Sequence, residues 1–248
     1  MPNLFEIKKQ IVEVGKLMYQ KGLVIAKHGN ISYKISDNEF ICTPGGLCKA
    51  FLTPDKLVRV DAMGNSLEPG KKPTSEIRMH IEIYRLRPEI NCIVHAQPAA
   101  SMAFAVTDVE AAKYTLPGDK QAYFGYVPAS AYDKNNHDAN KLAEYMSDKK
   151  QQAYIFHGDS SLSVGDTLYN AFDAVESLEH YCRVSILARS IVALEGASSK
   201  TADACCDKPC TCGKHPGGAC ECGKSAAPAS SDCDVQEVVR RVMMALGN

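Results

Sequence analysis

Three separated segments each carry a group able to hold a divalent metal or move a proton: Glu76 in PTSEIRMH, His95 in IVHAQP and His157 in IFHGDSSLSVG. A carboxylate and a neutral imidazole both offer lone pairs to a divalent cation, and both accept protons near neutral pH. Other segments are suited to an anion such as phosphate: Asn30 in HGNIS, Thr43 and Gly46 in TPGG, and Thr74 with Ser75 just before Glu76. Glycine allows close backbone approach, hydroxyls donate hydrogen bonds, and a helix N-terminus presents unpaired N–H groups. Taken singly, each has a plainer reading. A strand-end histidine can simply pack, a glutamate in a first helical turn favours the helix dipole, Gly45 and Gly46 can make a turn, and Thr74 can cap.

The elements that would position these groups follow from periodicity. Leu4, Ile7, Ile11, Val14 and Met18 form the stripe of an amphipathic helix, with Gly22 as its C-terminal stop. Strands are expected at 31–35 and 39–42, joined by a Ser36-Asp37-Asn38 hairpin turn, and at 57–61. Thr74 or Ser75 is expected to cap a helix through Glu76, Ile77, His80, Ile81 and Tyr84 that ends before Pro88. Residues 90–95 and 153–156 suggest buried strands, and Leu168, Ala171, Phe172, Val175, Leu178, Cys182 and Ile186 a long helix. Interleaved strands and helices make the class α/β.

The 248 residues carry a formal charge of only −1, so no bulk basic field would hold nucleic acid or an anionic membrane. No uncharged stretch is long enough to span a bilayer, and a cytoplasmic location is expected. Of the 11 cysteines, Cys42, Cys48, Cys92 and Cys182 are scattered and seven crowd between Cys205 and Cys233, which is no secreted disulfide framework.

In order along the chain, HGNIS, TPGG, PTSE, IVHAQP and FHGDSSLSVG resemble the successive motifs of the class II aldolase and adducin-head family, over residues 4 to about 195. The resemblance implies a three-layer α/β/α sandwich with a central sheet, assembled as a homotetramer with sites between subunits. It also implies reversible aldol cleavage of a sugar phosphate, fuculose or rhamnulose 1-phosphate, to dihydroxyacetone phosphate and lactaldehyde. In such enzymes a zinc ion on three histidines polarises the carbonyl, and a glutamate removes the neighbouring carbon-bound proton to give an enediolate. The matching positions are Glu76 as base, and His95, Gln97 and His157 as metal ligands. Asn30, Thr43, Gly46, Thr74 and Ser75 match the phosphate pocket. Tyr114, in AKYTLPGD, stands near the family's tyrosine proton donor from the neighbouring subunit, with Tyr123 and Tyr126 as competitors for that role. His28 matches no required position and is expected to be structural.

The sequence departs from the family at Gln97, where the first ligand pair is normally His-x-His. An amide oxygen is a neutral, harder donor than imidazole. Two readings follow: an aldolase with an altered metal site, or a binding or assembly protein that keeps the fold without the chemistry. An epimerase or decarboxylase sharing the enediolate is a further family alternative.

After Gly196, Ala, Ser, Gly, Pro and Cys dominate, and a domain boundary is expected near residue 196. Cys205, Cys206, Cys210, Cys212, Cys220, Cys222 and Cys233 fall in a linker over 197–233 that could bind soft metals, act as a redox-sensitive tether or stay simply solvated. Residues 234–248 then suggest an amphipathic helix, with Val235, Val238, Val239, Val242, Met243 and Leu246 on one face. A linker and a short terminal helix resemble the encapsulation peptides that carry enzymes into bacterial microcompartments, so a shell or core protein is the expected partner.

Overall fold

The computed structural model describes residues 3–107, 109, 124–128, 131 and 139–203. The expected tail metal ligands, Cys205 to Cys233, the docking helix at 234–248 and the expected proton donor Tyr114 lie outside the described residues. The chain divides into two units, Met1–Ala193 and Leu194–Asn248, and the candidate site belongs to the first.

The first helix, α1 (Leu4–Gln20), buries Ile7, Ile11, Val14 and Met18, the stripe its spacing predicts. The Asn3 side chain accepts from the Glu6 N–H at 2.9 Å, satisfying one of the free donors of the first turn. The helix ends as expected at Gly22, whose φ of +71° suits glycine, and the Leu23 N–H reaches back to the Met18 carbonyl at 2.9 Å.

Strands β1 (Asn30–Ser36) and β2 (Glu39–Cys42) form the expected hairpin, and β3 (Val58–Asp61) pairs antiparallel with β2. Helix α2 (Ile77–Leu86) precedes β4 (Cys92–Ala96). After helix α3 (Ala99–Ala105) come β5 (Phe124–Val127), helix α4 (Ala139–Met146), β6 (Ala153–Phe156), β7 (Ser160–Gly165) and helix α5 (Leu168–Asp203). The sheet order is β3-β2-β1-β4-β7-β6-β5, antiparallel except for the β5/β6 pair.

Alternation along the strands separates two cores. One face packs Ile31, Tyr33, Cys92 and Val94 against α1 and the start of α5. The other packs Phe40, Val58, Val60, Ile93 and Val164 against α2 and α4. The result is the three-layer α/β/α sandwich with a central sheet. No helix among the described residues is long and apolar enough to cross a membrane.

Strand β7 escapes the alternation rule because its small hydroxyls are buried and bonded. Ser163 Oγ donates to the Ala171 carbonyl at 2.6 Å, and Ser161 Oγ donates to Ser101 Oγ at 2.7 Å, tying the strand to α5 and α3. Helix α2 also starts later than expected. Its cap position is Glu76, whose side chain makes no capping bond, while Thr74 turns the chain into the helix through its carbonyl to the Ile77 N–H at 3.4 Å.

Candidate active site

Strands β1 and β4 are paired in a register that sets Asn30 opposite His95, with both side chains on the α2 face of the sheet. Because the capping role at the start of α2 is not taken by Glu76, its carboxylate is free to reach this pair. Glu76 Oε2 lies 2.6 Å from His95 Nδ1 and accepts from Asn30 Nδ2 at 2.5 Å. The other ring nitrogen of His95, Nε2, meets Ser160 Oγ at 2.5 Å and lies 4.0 Å from Asp159 Oδ2. Asn30 Oδ1 is buried and has no hydrogen-bond partner among the described residues. A buried acceptor left bare is costly, so this atom is open to a ligand donor or a cation.

Asn30, Glu76 and His95 line a pocket of about 170 Å³. Its remaining wall comes from two loops, Lys27-His28-Gly29 and Pro44-Gly45-Gly46, and from Thr74, Ser75 and Gln97. Two glycines are required here. A Cβ on Gly29, at φ +72°, would meet the His95 carbonyl oxygen at 2.7 Å, so only glycine lets this loop cross β4. Gly46 has φ +73°, which turns the second loop back toward α2. The loops are tied together from beneath by buried Lys49, whose Nζ donates to the Leu47 carbonyl at 2.8 Å and the Lys27 carbonyl at 3.4 Å.

Burial alone would raise the Glu76 carboxyl, but the hydrogen bond and charge of His95, with the Asn30 amide, outweigh it and bring it down to about 2. Glu76 is therefore an anion across the neutral range. Behind it, His80 is fully buried with Nδ1 2.8 Å from Ser32 Oγ, and burial followed by the charge of His95 pushes its pKa down to about 3. Lys49 is lowered to about 8 by burial, against the opposing pull of Cys48 and Glu76.

Of the residues expected from sequence, Asn30, Gly46, Thr74, Ser75, Glu76, His95 and Gln97 share this pocket. Thr43 does not line it; its hydroxyl accepts from the Ile31 N–H at 3.2 Å, joining the loop to β1. His157 does not line it either. His157 to Asp159 form the tight connection between β6 and β7, with Gly158 at φ +75°. Neighbouring residues in so short a turn point apart: the His157 ring packs 5.5 Å from the Tyr126 ring, while Asp159 turns toward His95.

The ligand atoms of Glu76, His95 and Asp159 all lie within 4.8 Å of one another, the spacing of groups around a single cation. This donor set, two carboxylates and an imidazole beside a bare amide oxygen, fits a divalent metal. Asp159, Lys27 and His28 were not singled out for the site from sequence. Asp159 stands two residues beyond His157 in the same FHGDSS motif, and that adjacency is the signal the sequence offers.

Comparison with known proteins agrees with this geometry. The family model described as Class II Aldolase and Adducin N-terminal domain matches residues 9–186. An L-fuculose phosphate aldolase of Methanococcus vannielii is 30% identical over 186 residues, covering 73% of this chain and 97% of that protein. A methylthioribulose-1-phosphate dehydratase of Pseudomonas fluorescens is 27% identical over 203 residues, covering 77% of this chain and 97% of that protein. The solved L-fuculose 1-phosphate aldolase of Glaciozyma antarctica superposes with a TM-score of 0.65 at 20% identity, over 77% of this chain and 78% of that one.

Proposed function

We propose, from the premise that this chain belongs to the class II aldolase and adducin family, that it is a metal-dependent lyase. It would cleave a deoxyketose 1-phosphate, fuculose or rhamnulose 1-phosphate, to dihydroxyacetone phosphate and lactaldehyde. The observation that carries this reading is Glu76, an anion held by Asn30 and His95 on the wall of a pocket whose other walls are glycine loops and the start of α2.

Class II aldolases use a divalent cation, which when bound supplies Lewis-acid polarisation of the substrate carbonyl. His95 and Asp159 are the residues that would hold it, beside Asn30 Oδ1, with Glu76 close enough to the same point to act on a substrate bound there. In the condensation direction Glu76 takes the carbon-bound proton of dihydroxyacetone phosphate, and the electron pair left behind forms the new carbon–carbon bond to the aldehyde. In cleavage the hydroxyl gives up its proton, which is relayed to Glu76, the carbon–carbon bond breaks with its electron pair going to the ketone side, the hydroxyl carbon becomes the aldehyde, and Glu76 delivers that proton to carbon. Asn30 keeps the Glu76 carboxylate aimed into the pocket, and the start of α2 at Thr74 and Ser75, with the Gly45-Gly46 loop, lines the part of the pocket that suits the phosphate. A neighbouring subunit of a homotetramer would bring Tyr114 to the aldehyde oxygen.

A second reading has a specific support, the dehydratase relative matched over a similar share of the chain. There the same proton abstraction would be followed by loss of a hydroxyl rather than by carbon–carbon cleavage. Incubating the full chain with divalent metal and each candidate ketose 1-phosphate, and assaying dihydroxyacetone phosphate against dehydrated ketone, separates the two. Neither product from any of them would sink the lyase reading.

Residues 234–248 are proposed to dock the enzyme to a microcompartment shell or core protein. This rests on their apolar stripe beyond a core-free segment. The cysteines of 205–233 are proposed as a separate soft-metal site, supported by their two Cys-x-Cys pairs.

A further inference from the structure

Gln97 follows directly on β4, with its backbone N–H donating to the Leu23 carbonyl at 3.1 Å. Both ends of its side-chain amide are engaged by other segments. Nε2 donates to the Asp159 backbone carbonyl at 3.3 Å, and Oε1 lies 2.5 Å from His28 Nδ1. An amide oxygen only accepts, so His28 Nδ1 carries the hydrogen and donates it. Turning the amide over would set its oxygen against the Asp159 carbonyl oxygen. The side chain therefore gives its donor to the β6–β7 turn and its oxygen to the loop before β1.

The turn that Gln97 grips is the one that carries Asp159. The Asp159 N–H donates to the Phe156 carbonyl at 3.1 Å, so with Gln97 on its carbonyl the backbone is held on both sides of the Asp159 Cα, which fixes the direction in which the side chain leaves. That direction is toward His95: Asp159 Oδ2 accepts from the Ser160 hydroxyl at 3.1 Å and lies 4.0 Å from His95 Nε2. We infer that Gln97 is a positioning residue for Asp159, holding the β6–β7 turn so that this carboxylate, and no atom of residue 97, meets a cation beside His95. Where the related pattern puts an imidazole on the cation, this chain has an amide that brings a carboxylate to it. One imidazole with a carboxylate, beside Asn30 Oδ1, is a harder donor set than three imidazoles and suits manganese(II).

This inference rests on the metal-dependent reading, and a double-mutant cycle in the full-length chain separates the two. Manganese(II) is the probe, because it favours carboxylate and imidazole over the thiolates of the tail. Its affinity, followed through the electron paramagnetic resonance signal of the free ion up to millimolar concentration, is measured for the parent chain, Gln97→Met, Gln97→Ala, Asp159→Asn and the Gln97→Met/Asp159→Asn double variant, with circular dichroism to verify folding. Expected is a loss of affinity of about 10-fold in each Gln97 variant and a larger one in Asp159→Asn. Adding Gln97→Met to Asp159→Asn should cost nothing further, since a residue that acts only through the Asp159 carboxylate then has nothing to position. Unchanged affinity in both folded Gln97 variants, or in Asp159→Asn, would overturn the assignment. So would the same loss from Gln97→Met in the Asp159→Asn background as in the parent chain, which would make Gln97 a ligand in its own right while leaving the metal-dependent reading intact. Failure of the parent chain to bind manganese(II) at all would reject that reading, and the Gln97 assignment with it.

Discussion

Helix α2 carries a charge withdrawn from solvent at each end, Arg87 fully and Glu76 half-buried, and the two ends are built to opposite specifications. Arg87, at its C-terminal end, is only 2% exposed. Its guanidinium donates to the carbonyls of Met146, Asp148, Lys149 and Gln151, the hydroxyl of Tyr154 and the carboxylate of Glu89. Glu76, at the N-terminal end, shares one carboxylate oxygen between Asn30 and His95, faces a pocket, and sits beside an amide oxygen with no partner. Buried charge alone therefore does not mark a reactive site. Arg87 uses its fixed five-donor fork to join α2 to the α4–β6 connection and has nothing left to offer a ligand. The N-terminal end keeps bonding capacity in reserve, which is what a ligand-binding site requires.

Removing Arg87 should have the largest effect of any change considered. Arg87→Met would strand several backbone carbonyls in the interior, and breaking so complete a buried network costs about 3–5 kcal/mol. Chemical denaturation should show this as a large loss of midpoint, and a loss below about 1 kcal/mol would show that water replaces the guanidinium easily. Next comes Glu76→Gln, which keeps the size but cannot take a proton. Loss of the base should lower aldol turnover, and exchange of the carbon-bound proton of dihydroxyacetone phosphate followed by NMR, about 10²- to 10⁴-fold, with the fold kept intact. Unchanged exchange would remove Glu76 from the chemistry and erase the contrast between the two ends.

A smaller effect comes from pH. The folded-state carboxyl of Glu76 is held at about 2, below its ordinary 4.5, so it contributes stability above about pH 4.5 that is lost as pH falls toward 2. The contribution is on the order of 1–3 kcal/mol. The stability difference between the parent chain and Glu76→Gln should therefore shrink through that window. A constant difference would mean that His95 does not hold the carboxylate in solution.

The reactive end was more legible in the sequence than the structural one, for physical reasons. Asn30, Glu76 and His95 each stand in a short motif whose residue types are unusual for a strand start, a helix cap or a buried strand, and strand register then brings them together. Arg87 precedes Pro88 and looks like an ordinary solvated helix end, because its partners are backbone carbonyls some 60 positions away that carry no side-chain signature. In sequence His28 reads as a structural residue and Gln97 as an altered metal ligand. Their relation depends on a crossing between the loop before β1 and the end of β4 that only Gly29 permits. Asp159 was hidden behind His157, since spacing does not tell which residue of a three-residue turn points inward. Serine-rich β7 and the alanine-rich α3 lack the periodic contrast that signals an element, because small side chains fit either environment.

The smallest effect on either end of α2 should come from the terminal segment. Stability is centred on elements joined by Arg87, and the candidate chemistry on residues between Lys27 and Asp159, so deleting 234–248 should leave denaturation midpoint, metal affinity and turnover nearly unchanged. What should change is location. Val235, Val238, Val239, Val242, Met243 and Leu246 recur at helical spacing, and a helix this short with one apolar face is marginal until a groove covers it. A charge at Val239 should mimic the deletion, because an unpaired charge in an apolar groove is expensive to desolvate. Fusing residues 225–248 to an unrelated soluble protein, in cells that assemble the cognate compartment, tests sufficiency. A diffuse fusion would end the docking idea, whereas a drop in midpoint or turnover on deletion would mean that the segment packs on its own enzyme and belongs to the economy of the fold.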